Sequence, residues 1–368
     1  MKYILMLVVT FAISCLMTPV AIKLAPKVGA IDVPKDARRM HSKPMPRFGG
    51  LAMFVATEAG LAIFCHNDPK VLSIIVGGAL IYGVGVYDDV KGMRAKVKFL
   101  LQMLCAVAVY LGGIHIDFVR NPFNQETYIH FPGVVSFFIT VIWIVGITNT
   151  INLIDGLDGL AAGVAAIASA SISYTAILSG QFGVGLAMLA VTGSALGFLP
   201  FNFHPAKTFM GDSGSLYLGF MIATVSTYGS TKGATLIATI VPFLVLGVPI
   251  FDTAFAIIRR TVNGRPVMSA DKGHLHHRII NTGIGQRRTV LIMYCISAIM
   301  GVIAILFVQR YYVEVVILTV VAALLTCVFI ADQPSWREIM REGLPLEEAE
   351  IPAEEPAESP ATASADEE

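Results

Sequence analysis

The chain contains eleven separate stretches of about 20 apolar residues, and this repetition limits its possible folds more than any other feature. A helix of that length crosses the ~30 Å hydrocarbon core of a bilayer. Only helices and closed barrels satisfy their backbone in lipid, and no stretch alternates with period two. The sequence therefore predicts an all-α, polytopic integral membrane helix bundle with about 11 transmembrane helices. The windows run approximately 4–22, 48–66, 71–87, 97–114, 134–151, 160–179, 182–200, 214–230, 234–258, 289–308 and 313–331.

Lys and Arg are distributed unevenly over the connections between these windows. Alternate connections, together with the C-terminal tail, hold 21 of the 26 basic residues, and the loops 23–47 and 259–288 hold seven each. Cytoplasmic loops of membrane proteins are enriched in Lys and Arg. We therefore predict a multi-pass protein of the cell (plasma) membrane, with the N-terminus outside and the C-terminus in the cytoplasm.

The composition changes after the last apolar window. Residues 345–368 are rich in Pro, Ala, Ser and Glu, and nine of the 26 acidic residues lie in 347–368. Such a segment buries too little apolar area to offset the entropy cost of ordering. The predicted domains are a transmembrane domain at 1–331 and an acidic, disordered cytoplasmic tail at 332–368.

Two adjacent carboxylates, Asp88 and Asp89, end the third window. The C-terminus of a helix carries partial negative charge, so this pair needs a metal ion, a proton or a nearby cation to compensate it. The structural alternative is a solvated helix end held by Lys91 and Arg94.

The connection after the fifth window is rich in oxygen-bearing side chains and contains no basic residue. Asn149, Asn152, Asp155 and Asp158 supply the amide and carboxylate oxygens that bind hard cations. The structural alternative is that Asp158 caps the sixth helix.

A third polar segment joins the seventh and eighth windows. It contains Asn202 and His204, and then the run Phe-Met-Gly-Asp-Ser-Gly-Ser, in which the aspartate is Asp212. Asp212 as a helix cap is the structural alternative. The Gly-Asp-Ser-Gly run resembles the surroundings of some serine nucleophiles, but no Ser/His/Asp set accompanies it.

Two cationic loops complete the polar inventory. The loop 259–288 carries Arg265 and the run His274-Leu275-His276-His277-Arg278, and the first cytoplasmic loop carries Lys43 and Arg47 before Gly49-Gly50. The histidine run is compatible with a zinc site. Arg and His beside several carboxylates fit an anion clamp for phosphate better.

Taken together, these carboxylates and cations suit Mg²⁺-assisted phosphoryl transfer, in which positioning and charge stabilisation supply most of the catalysis. The chain has no Walker P-loop, so a nucleotide would be held differently. Away from the window ends, two acidic residues lie inside windows. Asp252 is near enough to the cytoplasmic end to shape the site, and Glu58 is mid-span, where it must face protein or be protonated.

Four motifs follow one another along the chain between the membrane spans, namely Asp88-Asp89, Asn-x-x-Asn-x-x-Asp-Gly-x-Asp-Gly-Leu, Phe-Met-Gly-Asp-Ser-Gly-Ser and His-Leu-His-His-Arg. In this order they resemble the polyprenyl-phosphate N-acetylhexosamine-1-phosphate transferases. The resemblance covers roughly residues 1–331. Pro-Arg-Phe-Gly-Gly and His-x-His-His-Arg look like the branch that uses UDP-N-acetylglucosamine. The peptidoglycan branch typically carries three consecutive histidines, which Leu275 interrupts here.

The resemblance implies a reaction in which undecaprenyl phosphate and UDP-GlcNAc give undecaprenyl-diphospho-GlcNAc and UMP. It implies Mg²⁺, with Mn²⁺ as a substitute, and a first membrane step in making a cell-envelope glycopolymer. The partners are membrane lipid, the prenyl phosphate and a UDP-sugar, with no nucleic acid and with homodimer formation as a further expectation.

By motif match, the resemblance also implies roles for individual residues. The catalytic pair is Asp88, the candidate base, and Asp89, which assists at the phosphates or metal. The metal ligands are Asp212 and Asp155. The substrate-binding residues are Lys43, Arg47, Asn152, Asp158, Asn202, Arg265, His274, His276, His277 and Arg278.

Three alternatives stay open at this point. Within the same reaction type, the sugar donor is UDP-MurNAc-pentapeptide or UDP-GalNAc. A secondary transporter of an anionic metabolite would place ionisable residues and broken helices at the midplane, with inverted repeats. A non-enzymatic membrane scaffold would use the tail as a docking segment.

Overall fold

The computed structural model of the chain describes residues 1–33, 44–120, 127–230, 241–262, 264, 275, 279–280 and 283–331. Its main helices, in chain order, are α1 Lys2–Val28, α2 Gly50–Phe64, α3 Pro69–Lys91, α4 Ala95–Leu111, α5 Gly133–Ile154, α6 Leu160–Leu178, α7 Phe182–Asn202, α8 Gly211–Ser230, α9 Gly247–Val262, α10 Gln286–Val308 and α11 Tyr312–Ala331. The predicted tail at 332–368 lies outside the described residues.

A helix lies in each of the predicted apolar windows, although part of the ninth window falls among residues 231–240, which are not described. Within the described ranges, six helices are long and apolar enough to cross a membrane, namely α1, α3, α5, α6, α7 and α10. Helix α2 and the Tyr312–Ala322 part of α11 are apolar but shorter. The chain is therefore a mostly helical protein with several helices able to span a bilayer.

Two short antiparallel sheets interrupt the helical architecture. Strand β1 (Ile31–Asp32) pairs with β2 (Met45–Pro46), and β3 (Phe118–Arg120) pairs with β4 (Tyr128–His130). The second sheet forms a small hairpin between α4 and α5. These few residues leave the predicted helical class intact.

Helix α8 is the innermost element of the bundle. Every residue from 213 to 229 is buried, and the helix packs against α3 and α5. After Asp212 the helix carries no charged side chain, so no face of it requires contact with water. Helix α7, in turn, packs between α1 and α6. The position of α8 brings its N-terminus to the ends of several neighbouring helices.

Glycines let the neighbouring backbones reach the first turn of α8. A Cβ atom on Gly85 of α3 would collide with the backbone of Ser213, and one on Gly50 of α2 would collide with the backbone of Gly214. Only glycine permits such close approach. Gly50 thus has a packing role at the first turn of α8, which carries Asp212.

Glu58 faces protein within the bundle, as the sequence predicts for a mid-span carboxyl group. The Tyr217 hydroxyl of α8 donates to Glu58 Oε1 at 2.8 Å. Phe54 stacks on Tyr82 beside this pair, with ring centroids 4.1 Å apart. The contact joins α2 to α8 through a polar group inside an otherwise apolar interface.

Candidate active site

The segment before α2 runs alongside the segment before α8 and carries Arg47 to the site. The Phe209 N–H donates to the Pro46 carbonyl at 2.9 Å, and the Gly50 N–H donates to the Met210 carbonyl at 2.9 Å. These backbone bonds hold residues far apart in sequence at a fixed separation. The Arg47 side chain consequently lies beside the first turn of α8.

Asp212 is the centre of the polar cluster at this end of the bundle. Its Oδ2 accepts from Arg47 Nη2 at 2.7 Å. Its Oδ1 accepts from Lys98 Nζ at 2.8 Å and from Asn152 Nδ2 at 2.6 Å. Helices α4, α5 and α8 and the segment before α2 therefore converge on one carboxylate.

Lys98 joins two of the predicted carboxylates. Its Nζ lies 2.9 Å from Asp88 Oδ2 and 2.8 Å from Asp212 Oδ1. The sequence predicts no chemical role for Lys98, which counts only among the basic residues of the alternate connections. The available signal was its place inside the predicted 97–114 window, because a charge within a membrane segment is commonly functional.

Asp89 lies against the N-terminus of α8 rather than against open space. Its Oδ1 accepts from the Asp212 N–H at 2.8 Å, and its Oδ2 accepts from the Ser213 N–H at 2.9 Å. Arg47 Nε is 3.1 Å from Oδ1, and the Asp89 side chain is fully buried. The positive end of the α8 dipole thus compensates a carboxylate at the negative end of α3.

Replacing Asp89 by Asn is expected to lower the unfolding temperature as well as the activity. An amide has one acceptor oxygen, so one of the two N–H groups that Asp89 now binds would face an NH₂ group. A buried donor left without a partner costs about 1–3 kcal/mol. Thermal unfolding in detergent, with Asp88→Asn as the matched variant, measures the effect. Equal unfolding temperatures for the two variants would contradict the capping role.

Asp155 ends α5 close to this cluster, and its carboxyl group lies in an unfavourable environment for a charge. Burial raises the pKa of Asp155 well above its usual range, Arg47 opposes this, and the carboxylates of Asp212, Asp89 and Asp158 raise the pKa further. An additional cation near Asp155 would therefore stabilise its ionised form.

The pKa of Arg47 is set by burial and by neighbouring charges, which act in opposite directions. Burial lowers the pKa of its guanidinium group, but the carboxylates of Asp212, Asp89, Asp155 and Asp88 more than offset burial, so the pKa lies above its ordinary value. Arg47 is consequently a permanent cation at the centre of four carboxylates.

The cluster has more acidic than basic groups. Four carboxylates, those of Asp88, Asp89, Asp155 and Asp212, interact with two cations, Arg47 and Lys98. Within the described ranges, no three His, Cys, Asp or Glu side chains already form a metal cage. The excess of negative oxygen ligands nevertheless fits a hard divalent cation.

Asp158 binds the loop after α7 instead of capping α6, so the capping alternative is wrong. Its Oδ2 lies 2.8 Å from His204 Nδ1 and accepts from the Ala206 N–H at 3.2 Å. The residue at the cap position of α6 is Gly159, which has no side chain to make such a bond. Asp158 therefore connects the α5–α6 turn to the α7–α8 loop.

Asn202 reinforces the same connection from a buried position. Its Oδ1 accepts from the Gly159 N–H at 3.1 Å, and its Nδ2 donates to the Thr208 carbonyl at 3.0 Å. The oxygen and the nitrogen of the side-chain amide are thus both used in holding the loops together. Asn202 thus joins the start of α6 to the α7–α8 loop through backbone contacts.

The structure therefore brings together Arg47, Asp88, Asp89, Asn152 and Asp212, with Asp155 within electrostatic reach. Asp252 accepts from the Leu275 N–H at 2.9 Å, which attaches the histidine-bearing loop to α9. The other predicted residues lie outside the described part of the chain, namely Lys43, Arg265, His274, His276, His277 and Arg278.

Sequence comparison relates the chain to known proteins. Residues 71–230 match the model of glycosyl transferase family 4. The chain is 44 % identical over 304 residues to the probable undecaprenyl-phosphate N-acetylglucosaminyl 1-phosphate transferase of Bacillus subtilis, covering 81 % of this chain and 84 % of that protein. The chain belongs to glycosyl transferase family 4.

Two more distant family 4 relatives show the breadth of the match. The decaprenyl-phosphate N-acetylglucosaminephosphotransferase of Mycobacterium tuberculosis is 36 % identical over 311 residues, 74 % of each chain. The phospho-N-acetylmuramoyl-pentapeptide-transferase of Bacillus mycoides is 31 % identical over 323 residues, 81 % of this chain and 95 % of that one. The motif resemblance to polyprenyl-phosphate transferases is confirmed.

Proposed function

We propose that the protein transfers GlcNAc-1-phosphate from UDP-GlcNAc to undecaprenyl phosphate, giving undecaprenyl-diphospho-GlcNAc and UMP. The observation that carries the proposal is the convergence of Arg47, Lys98 and Asn152 on Asp212, beside Asp88. Three of the four motifs thus supply groups to one cluster. The name of the Bacillus subtilis relative supports the same chemistry.

The sugar assignment rests on two observations. The run His274-Leu275-His276-His277-Arg278 differs from three consecutive histidines. The relatives named for N-acetylglucosamine are 44 % and 36 % identical, against 31 % for the muramoyl-pentapeptide enzyme. UDP-MurNAc-pentapeptide and UDP-GalNAc are the competing donors.

The proposed topology has eleven spans and places the cluster at the cytoplasmic face of the plasma membrane. The acceptor lipid stays in the bilayer and the nucleotide is soluble, so the reaction needs a site where helices meet the cytosol. The cluster lies at the ends of α3, α4, α5 and α8. In the predicted topology, the connections at these ends belong to the set that holds 21 of the 26 basic residues, which supports the proposed cytoplasmic position. Homodimer formation stays a prediction.

Mg²⁺ would be held by Asp212 and Asp155, with Mn²⁺ as a substitute. The excess of carboxylates over cations around Asp212 supports this assignment. When bound, the ion would polarise phosphoryl oxygens and neutralise their charge. In the structure, Arg47 and Lys98 contact the Asp212 oxygens.

The side chains of the cluster account for the remaining steps. Asp88 keeps the lipid phosphate deprotonated, and Lys98 and Arg47 attract its negative charge. An oxygen of that phosphate attacks the β-phosphorus of the UDP-sugar, a new phosphorus–oxygen bond forms, and the bond to the oxygen of UMP breaks. Asn152 holds the Asp212 carboxylate in place through its amide.

Asp89 takes a positioning role in this proposal instead of contacting phosphate or metal. Both of its oxygens already accept backbone N–H groups of α8. Its contribution is to fix the first turn of α8, and with it Asp212. Asp158 and Asn202, with the substrate-binding residues outside the described ranges, complete the proposed site.

The deciding experiment offers three donors to the purified protein in detergent with undecaprenyl phosphate and Mg²⁺. UDP-GlcNAc, UDP-GalNAc and UDP-MurNAc-pentapeptide are tested separately, and UMP release is measured. We expect release with UDP-GlcNAc. Release only with another donor would reassign the sugar, and uptake by proteoliposomes without any UMP release would favour a transporter.

A further inference from the structure

A pair of side-chain amides lies behind the Asp212 cluster, between α4 and α5. Asn149 Nδ2 donates to Gln102 Oε1 and also to the Val145 carbonyl, the latter at 2.8 Å. Gln102 is only 1 % exposed. A glutamine this deeply buried is unusual, because Gln is mostly found at protein surfaces.

The pair lies one helical turn from the groups that hold Asp212. Gln102 follows Lys98 by four residues on α4, and Asn149 precedes Asn152 by three residues on α5. Residues three or four apart share one face of a helix. The amide pair therefore joins the same two helices, on the same faces, that present Lys98 and Asn152 to Asp212 Oδ1.

The orientation of both amides follows from their contacts. The Val145 carbonyl can only accept, so the Asn149 atom beside it must be the nitrogen. The Gln102 atom that meets this nitrogen must then be its oxygen. Gln102 Nε2 is left buried, without an acceptor among the residues that the structure describes.

An unsatisfied buried donor is destabilising, and a leucine at position 102 would remove it. Gln102 therefore opposes stability at the point where it meets Asn149. Residues that lower stability are characteristically retained where activity needs them. The functional part of the amide must then be its oxygen, which fixes the position of the Asn149 side chain.

We propose that Gln102 is a positioning residue for the transfer reaction, acting through Asn149 to hold α4 and α5 so that Lys98 and Asn152 both reach Asp212. The inference rests on the proposed function for its activity readout. Gln102 does not contact substrate in this role, because its amide is enclosed by protein.

The test compares Gln102→Leu with Gln181→Leu. Gln181 is also buried, and its Nε2 donates to the Gly229 carbonyl at 3.2 Å, near the opposite end of α8. For Gln102→Leu we expect kcat to fall roughly ten- to a hundredfold, which is the usual loss when a residue that orients a metal ligand is removed. The KM for UDP-GlcNAc should be unchanged. Its unfolding temperature should equal or exceed that of the wild type, and Gln181→Leu should keep its kcat.

Two further variants distinguish positioning from packing. Gln102→Glu keeps an acceptor oxygen for Asn149 and should recover most of the lost kcat. Gln102→Leu combined with Asn149→Leu should be no slower than Asn149→Leu alone, because the two residues act as one unit. Additive losses in the double variant would overturn the inference.

The two proposals fail in different ways. If the wild type releases no UMP from any donor, the proposed function is wrong. The unfolding temperatures then test separately whether Gln102 has an ordinary structural role. A lower unfolding temperature for Gln102→Leu than for the wild type would show an ordinary structural role and overturn the inference. An unchanged kcat in Gln102→Leu, with an active wild type, would do the same.

Discussion

Asp212→Asn is expected to abolish transfer while leaving the fold intact. The amide keeps the shape of the carboxylate, but its NH₂ group must face Arg47, Lys98 or Asn152, all of which donate to Asp212 now. Loss of a charge that stabilises phosphoryl transfer by about 4 kcal/mol corresponds to roughly a thousandfold in rate. UMP release at saturating Mg²⁺ measures the loss.

The matched control for this substitution is Asp117→Asn. Asp117 accepts from the Ser136 hydroxyl at 3.0 Å, near the start of α5 and away from the cluster. This variant should transfer at the wild-type rate. Mg²⁺-dependent transfer retained in Asp212→Asn would refute the proposed metal role of Asp212.

Asp88→Asn is expected to reduce kcat by roughly 10²–10⁴-fold, the usual contribution of a general base. Asp88 lies 2.9 Å from Lys98 Nζ, and its side chain is 9 % exposed. The variant removes the base but keeps the shape of the side chain.

Unfolding temperature provides the control for the Asp88 variant. Asp88 pairs with a side-chain cation and, unlike Asp89, bonds to neither of the backbone N–H groups at the start of α8. The Asp88→Asn protein should therefore unfold at the wild-type temperature. A kcat within a factor of a few of the wild type would exclude Asp88 as the base.

The sequence predicted the helices because each lipid-crossing segment carries its own evidence. A run such as 134–151 is long and apolar whatever surrounds it, and α5 occupies Gly133–Ile154. The acidic residues were found for the same reason, since Asp88, Asp89 and Asp212 stand out at the ends of apolar windows.

The partners of those residues could not be predicted, because they depend on contacts between distant segments. Arg47 reaches Asp212 across 165 positions, and Lys98 reaches it across 114. The capping of α8 by Asp89 depends on how α3 packs against α8. The alternative in which Asp158 caps α6 was consistent with its place in the sequence, and only the fold shows that Asp158 binds His204 instead.

The burial of α8 has a consequence for how the enzyme would tolerate different membranes. A bilayer that is thicker or thinner than the protein's apolar band makes lipid-facing helices tilt or shift. Residues 213–229 of α8 are all buried, so this helix has no direct contact with lipid over that length. Changes in acyl-chain length would therefore act first on outer helices such as α1 and would reach α8 only through its neighbours.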